Sequence, residues 1–113
     1  MAIPRIANRD MGEYVRHMIE FKNNNNSVYA TTVTSSQGLG PIYVVYSYGT
    51  HFPMYAWEKG KWYGNKDKYS RTTSCHQSLC NPSSGSIFWM STERMIDIIS
   101  RGYNGMVAAR LGA

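Results

Sequence analysis

The chain has 113 residues, of which 42% are apolar and 13% aromatic, and a net charge of +5 from twelve Lys/Arg against seven Asp/Glu. That length suits one compact domain over residues 1–113 and excludes two ordinary ones, while the apolar content excludes a charge-dominated disordered chain. The basic excess favours polyanionic partners such as nucleic acid. No stretch approaches the roughly 20 apolar residues that a bilayer span needs, and "MAIPRIANRD" carries no apolar run after its charges, so the expectation is a cytoplasmic protein with no membrane partner.

In chain order, Asp10 and Glu13 have capping-box spacing, and Met11, Val15, Met18 and Ile19 follow with helical periodicity, which predicts a helix from Met11 to Phe21 with His17 on its polar flank. Asn23 to Asn26 stop it as a loop, because asparagine side chains compete for backbone hydrogen bonds. "SVYATTVT" is β-branched and aromatic and predicts a strand over Val28 to Thr34, with a turn at "SSQGLGP" and a second strand from Ile42.

Gly49-Thr50 and Lys59-Gly60 read as two tight turns of a meander. They would set Tyr48 against His51, Tyr46 against Pro53, Val44 against Tyr55, Ile42 against Trp57, Trp57 against Trp62 and Glu58 against Lys61. One face then carries Tyr46, Tyr48, His51, Pro53, Tyr55, Trp57 and Trp62; the other carries Tyr43, Val45, Ser47, Phe52, Met54, Ala56 and Tyr63, the more aliphatic set suited to helices. "NKDKYSRTTSCHQSLCNPSSGS" reads as a long polar loop around one helical turn capped by Ser74 and Gln77 and ended by Asn81-Pro82. "IFWM" predicts a short strand, and Ser91 or Thr92 caps a helix with Met95, Ile98 and Ile99 on one face, ended by Gly102. The tail "YNGMVAARLG" suits a strand or a short helix, and there is no internal repeat. The fold class is therefore α+β, an antiparallel meander of about four strands packed against N- and C-terminal helices.

Two constellations carry chemistry. The aromatic face, flanked by Lys59, Lys61, Lys66, Lys68 and Arg71, is either a base-stacking sheet surface or core packed under the last helix. The segment "YSRTTSCHQS" combines Arg71 with the hydroxyls of Thr72, Thr73 and Ser74 at a helical start, a natural phosphate or carboxylate site, or else a capped surface loop. Cys75 and Cys80 read as reduced thiols with one optional bridge. With His76 and His51 they fit no metal-ligand spacing, adjacent Cys75 and His76 point in different directions from a helix, and no orienting acid supports a Cys75 nucleophile with His51 as base.

"VVYSYGTHFPMYAW" followed by "WYGNKDKYSRTTSCHQS" resembles a block found in small accessory proteins encoded by bacteriophages, in which Tyr-Gly-x-His-Phe/Tyr-Pro leads through Trp and Asn to Tyr-Ser-x-Thr-Thr-Ser-x-His. It covers about residues 42 to 78, and Ser47, Tyr48, Gly49, His51, Pro53, Trp62, Asn65, Tyr69, Ser70, Thr72, Thr73, Ser74 and His76 match it. The resemblance implies a viral protein of the host cytoplasm and, since that family has no established activity, little chemistry. The expectation is a non-enzymatic binding protein, without cofactor or metal, that takes nucleic acid or a nucleotide phosphate at Tyr48, His51, Lys68, Tyr69, Arg71, Thr72, Thr73, Ser74 and His76. The alternatives are an inhibitor of a host or defence protein (anti-restriction or anti-CRISPR in type) using the same aromatic surface, and a small hydrolase or thiol enzyme; a homo-oligomer is compatible with each.

Overall fold

The computed structural model describes residues 3–24, 26–34, 41–48, 52–58, 60–67, 70–82 and 85–101. They form an α+β architecture of strands β1 (Arg5–Ile6), β2 (Phe21–Asn23), β3 (Val28–Thr34), β4 (Pro41–Ser47), β5 (Pro53–Glu58), β6 (Lys61–Asn65) and β7 (Ile87–Met90), with helices α1 (Met11–Arg16), α2 (Arg71–Leu79) and α3 (Thr92–Arg101). The expected meander of about four strands is the middle of a larger seven-stranded sheet in chain order, antiparallel from β2 to β6 and parallel in its outer pairs β1–β2 and β6–β7.

A parallel pair requires a crossover, and α1 and α2 supply one at each edge. Both crossovers join strands running the same way and step the same way across the sheet, so one handedness sends both helices to the same face. There Met11, Val15 and Cys80 share a core with Tyr43, Val45 and Tyr55. The helix α3 covers the opposite face, where Met95 and Ile98 meet Ile42, Val44, Tyr46, Ala56 and Tyr63. Strand β4 is therefore buried on both sides from Ile42 to Ser47, which explains its unbroken apolar run.

This two-sided covering makes the inner rings core, the second of the two expected readings, and overturns their expected placement on one face. Tyr46 lies in the α3-side core, Tyr55 in the α1/α2-side core, and Trp57 and Trp62 pack partly buried against the latter. The physical reason is a β-bulge. Tyr46 opposes Pro53 as expected, but Val45 opposes Tyr55 and Tyr43 opposes Trp57, so Met54 is an extra residue that slips the register and exchanges faces. The second turn is as expected, with Trp57 opposite Trp62, Glu58 opposite Lys61 and Gly60 at φ +81°. Gly49, Thr50, His51 and Lys59 lie outside the described residues, as does the tail from Gly102.

Helix α1 stops at Arg16, short of the expected Phe21, which is buried in β2. Met18 takes φ 54°, Ile19 N–H donates to Tyr14 O and Met18 N–H to Val15 O, a Schellman closure without glycine. Asp10 makes no side-chain cap bond; Glu13 instead pairs with Arg16 and His17. The asparagine run is not simply a loop either. Asn23 is buried at the end of β2, its Nδ2 donating to Asn8 Oδ1 and Ser27 Oγ and its Oδ1 accepting from Val28 N–H at 3.0 Å. Removing a buried hub leaves its partners unsatisfied, so Asn23→Ala is expected to cost about 2–3 kcal/mol in urea unfolding, against under about 0.5 kcal/mol for exposed Asn24→Ala. Equal, small losses for the two would contradict the hub.

Candidate functional site

The one helical turn expected inside the long polar loop is the nine-residue helix α2, and it begins earlier than Ser74: Ser70 is the N-cap, its Oγ accepting from Thr73 N–H at 3.0 Å. Helical spacing gives α2 three faces. Thr73, His76 and Cys80 turn to the sheet, Ser74, Gln77, Ser78 and Asn81 line a cleft, and Arg71, Thr72, Cys75 and Leu79 face solvent.

The inward face is held by a chain of hydroxyls. Ser70 Oγ donates to Thr73 Oγ1 at 3.1 Å, Thr73 Oγ1 lies 3.2 Å from Ser47 Oγ, and Ser47 Oγ lies 3.0 Å from His76 Nδ1. Each hydroxyl donates once along this run if His76 is neutral and accepts at Nδ1, so the chain has a consistent polarity. Ser47 is 1% and His76 5% exposed, which makes the pair a buried clamp rather than an accessible nucleophile and base. Tyr48, 54% exposed and held at φ 56°, tilts against the His76 ring with centroids 5.6 Å apart.

Tyr48, Thr73 and His76 are thus brought together, with Thr73 and His76 buried and bonded to Ser47 in the clamp. Ser74 lines the cleft; Arg71 and Thr72 stand exposed at the start of α2; His51, Lys68 and Tyr69 lie outside the described residues. Cys75 is an exposed free thiol and Cys80 a buried one, so the optional bridge is not formed; Cys80 Sγ lies 3.9 Å from Met11 Sδ, and burial pushes its thiol pKa up to about 12. Cys75 and His76 do point apart. Among the described residues no three His, Cys, Asp or Glu side chains cluster as metal ligands, and no helix is long and apolar enough to cross a membrane.

The cleft, about 380 Å³, lies between α2 and the β6–β7 edge and is lined by Tyr55, Asn65, Lys66, Asp67 and Trp89 besides Ser74, Gln77 and Ser78 of α2 and Asn81 just past its end. Its floor is locked by neutral bonds. Tyr55 Oη–H donates to Gln77 O, Gln77 Nε2 to Asn65 O, and Asn65 Nδ2 to Pro53 O and Thr92 Oγ1, each at 2.9 Å. Asp67 Oδ2 accepts from Thr92 N–H at 2.8 Å, and its exposed carboxyl is held below the usual range by that bond and, less, by Lys66. Trp89, 51% exposed, forms the wall: its indole lies over Gly64 and edge-on to Tyr55, 6.1 Å between centroids. Trp89, Gln77, Ser78 and Asn81 were not singled out from sequence as ligand-binding residues, and Lys66 only as a cation flanking the aromatic face. The i, i+3, i+4, i+7 spacing of Ser74, Gln77, Ser78 and Asn81, and a glycine inside a strand, were the available signals.

Comparison with family models, with curated proteins and with solved structures finds no match to this chain.

Two outcomes follow from this geometry. A Cβ at position 64 would sit 2.7 Å from Trp89 Cε3 and Cζ3 and 2.9 Å from Ile87 Cγ2, so Gly64→Ala is expected to lose about 1–3 kcal/mol in urea and shift the indole emission. An unchanged spectrum and midpoint would show that Trp89 does not rest there. Burial holds the His76 imidazole below its ordinary 6.5. The unfolded chain then binds that proton more tightly, so the stability from neutral His76 is complete above about pH 6.5 and is lost as the pH falls through the folded-state value. Urea midpoints of the parent should fall more steeply than those of His76→Gln between about pH 7 and about pH 5; parallel slopes contradict a buried neutral ring.

Proposed function

We propose that the protein is a non-enzymatic binding protein that takes a nucleotide, free or within nucleic acid, in the α2 cleft. The single observation that supports this reading most is the half-exposed indole of Trp89 seated on Gly64 opposite the polar face of α2. A flat apolar wall facing hydroxyls and carboxamides suits a nucleobase, since every base offers a π-face for stacking and edge groups for hydrogen bonding. Lys66 supplies a cation at the rim for phosphate, and the anionic Asp67 beside it suits a ribose hydroxyl or base amino group rather than phosphate. The site thus lies one helix face away from the residues expected from the hydroxyl-rich segment, and shares Ser74 with them. A phage-encoded origin and a place in the host cytoplasm, implied by the block over residues 42–78, belong to the same proposal.

A second reading, inhibition of a host or defence protein, is favoured by Phe88 and Trp89, both 51% exposed and adjacent on the outermost strand β7. Aromatic side chains on an edge strand suit strand addition and binding hot spots.

Titration of the protein with nucleoside monophosphates, followed by tryptophan fluorescence, tests the first reading. Saturable quenching is expected. Trp89→Ala should weaken it roughly tenfold or more, as loss of one stacked base does, and Lys66→Glu should weaken it and reduce its salt dependence. Arg71→Ala, outside the cleft, should change it less. Absence of quenching up to millimolar nucleotide, together with salt-insensitive capture of a protein partner that Phe88→Ala abolishes, would favour the second reading and reject the first.

A further inference from the structure

The register of the sheet lines up a row of side chains on the α3-side face, away from the cleft. Arg5 of β1 opposes Lys22 of β2, Lys22 opposes Tyr29 of β3, and Tyr29 opposes Tyr46 of β4. Directly opposed residues share a face, so two cations and two rings succeed one another over about 14 Å at the usual strand spacing. Tyr46 is buried under α3, whereas Tyr29 stacks on it at 5.0 Å between centroids and 28° between planes and stays half-buried. Lys22, Asn26 and Tyr29 line a hollow of about 340 Å³, distinct from the α2 cleft.

Among the described residues no carboxylate neutralises the charges in this row. Arg5 Nη1 bonds only carbonyl oxygens, Asn23 O at 3.4 Å, Asn24 O at 3.0 Å and Asn26 Oδ1 at 2.9 Å, all neutral acceptors that fix the guanidinium without cancelling it. Among the described residues neither Arg5 nor Lys22 pairs with a carboxylate. The nearby acid Glu20 is turned to the Thr31 hydroxyl and Thr32 N–H, at 2.9 Å and 2.8 Å. Asn26, at φ 59°, accepts from Arg5 through Oδ1, and its Nδ2 makes no hydrogen bond among the described residues.

We propose that Arg5, Lys22, Asn26 and Tyr29 form a second binding surface that takes a segment of single-stranded nucleic acid, one base lying against Tyr29 and the flanking phosphates against Lys22 and Arg5. The occupant follows from charge and shape together. Uncompensated cations beside an aromatic ring prestacked on a buried neighbour attract a polyanion whose repeating unit is a flat ring. The carboxamide of Asn26 supplies an amide donor for a base edge or sugar oxygen. This surface stands independently of the cleft, because Tyr29 and Trp89 lie on opposite faces of the sheet.

The test is fluorescence anisotropy of a labelled oligothymidylate of roughly ten nucleotides, a length within the reach of small single-strand binders, at about 50 and about 200 mM salt. The parent should bind at the lower salt and lose affinity steeply at the higher. Lys22→Glu and Arg5→Glu should each weaken binding at least about tenfold. Arg16→Glu, which makes the same charge change on the exposed side of α1, should weaken it less than about threefold. Tyr29→Leu should also lose affinity, with its melting temperature reported beside it because it breaks the Tyr46 stack. The loss caused by Lys22→Glu should persist in a Trp89→Ala background, whatever binding the α2 cleft itself contributes. No binding by the parent at low salt, or Lys22→Glu losses no larger than those of Arg16→Glu, overturns the proposal. So does loss of oligonucleotide binding in Trp89→Ala with Lys22→Glu unaffected, an outcome that would leave the cleft reading standing.

Discussion

The docking of α2 onto β4 through Ser47, Thr73 and His76 is the contact on which the organisation around the cleft depends. An unmade hydrogen bond inside a protein costs more than a made one gains, so three buried polar groups are tolerated at the helix–sheet seam because they satisfy one another. Their bonds fix the rotation of α2 about its own axis. With Thr73 and His76 turned to the sheet, helical geometry leaves Ser74, Gln77, Ser78 and Asn81 facing the β6–β7 edge and Arg71, Cys75 and Leu79 facing water. A helix free to roll about its axis would present no defined polar face to Trp89.

Around that seam the sheet is filled from both sides, and this decides where recognition can occur. Tyr43, Tyr46 and Tyr55 are large planar residues with polar tips, yet all three serve as core. Tyr43 Oη–H donates to Ile19 O and Tyr55 Oη–H to Gln77 O, and burial raises the phenol pKa of all three, to about 12 for Tyr46 and Tyr55. Among the described aromatic residues that stay exposed or half-buried, Tyr29 lies beside the β1–β2 margin and Phe88 and Trp89 on the β7 margin. The two proposed sites occupy these margins, one on each face.

Much of this was legible in the residues, and the failures have identifiable physics. "SVYATTVT", the Trp57–Trp62 pairing, "IFWM" and the Met95/Ile98 stripe were readable because period and turn chemistry agree there. Strands β1 and β2, two and three residues long, are too short to show a period. The end of α1 was hidden because Met18, not glycine, takes the left-handed conformation, and the face assignment failed because nothing in "HFPMYAW" marks Met54 as an extra residue. In α2 two cap patterns compete, Ser70 with Thr73 and Ser74 with Gln77; the earlier one wins because it also delivers Thr73 and His76 to Ser47. The hydroxyl-rich segment stands out in the structure for its inward bonds, while Gln77, Ser78, Asn81 and Trp89 went unmarked as a site because helix rotation and the seat on Gly64 are what bring them together.

The seam is tested most directly by a double-mutant cycle between Ser47→Ala and His76→Leu, read by urea unfolding at neutral pH. Mutually satisfied buried partners should couple by about 1 kcal/mol or more, the double variant losing clearly less than the sum of the single ones. Additivity within about 0.5 kcal/mol would mean that Ser47 and His76 do not hold α2 together, and the placement of the cleft would lose its cause.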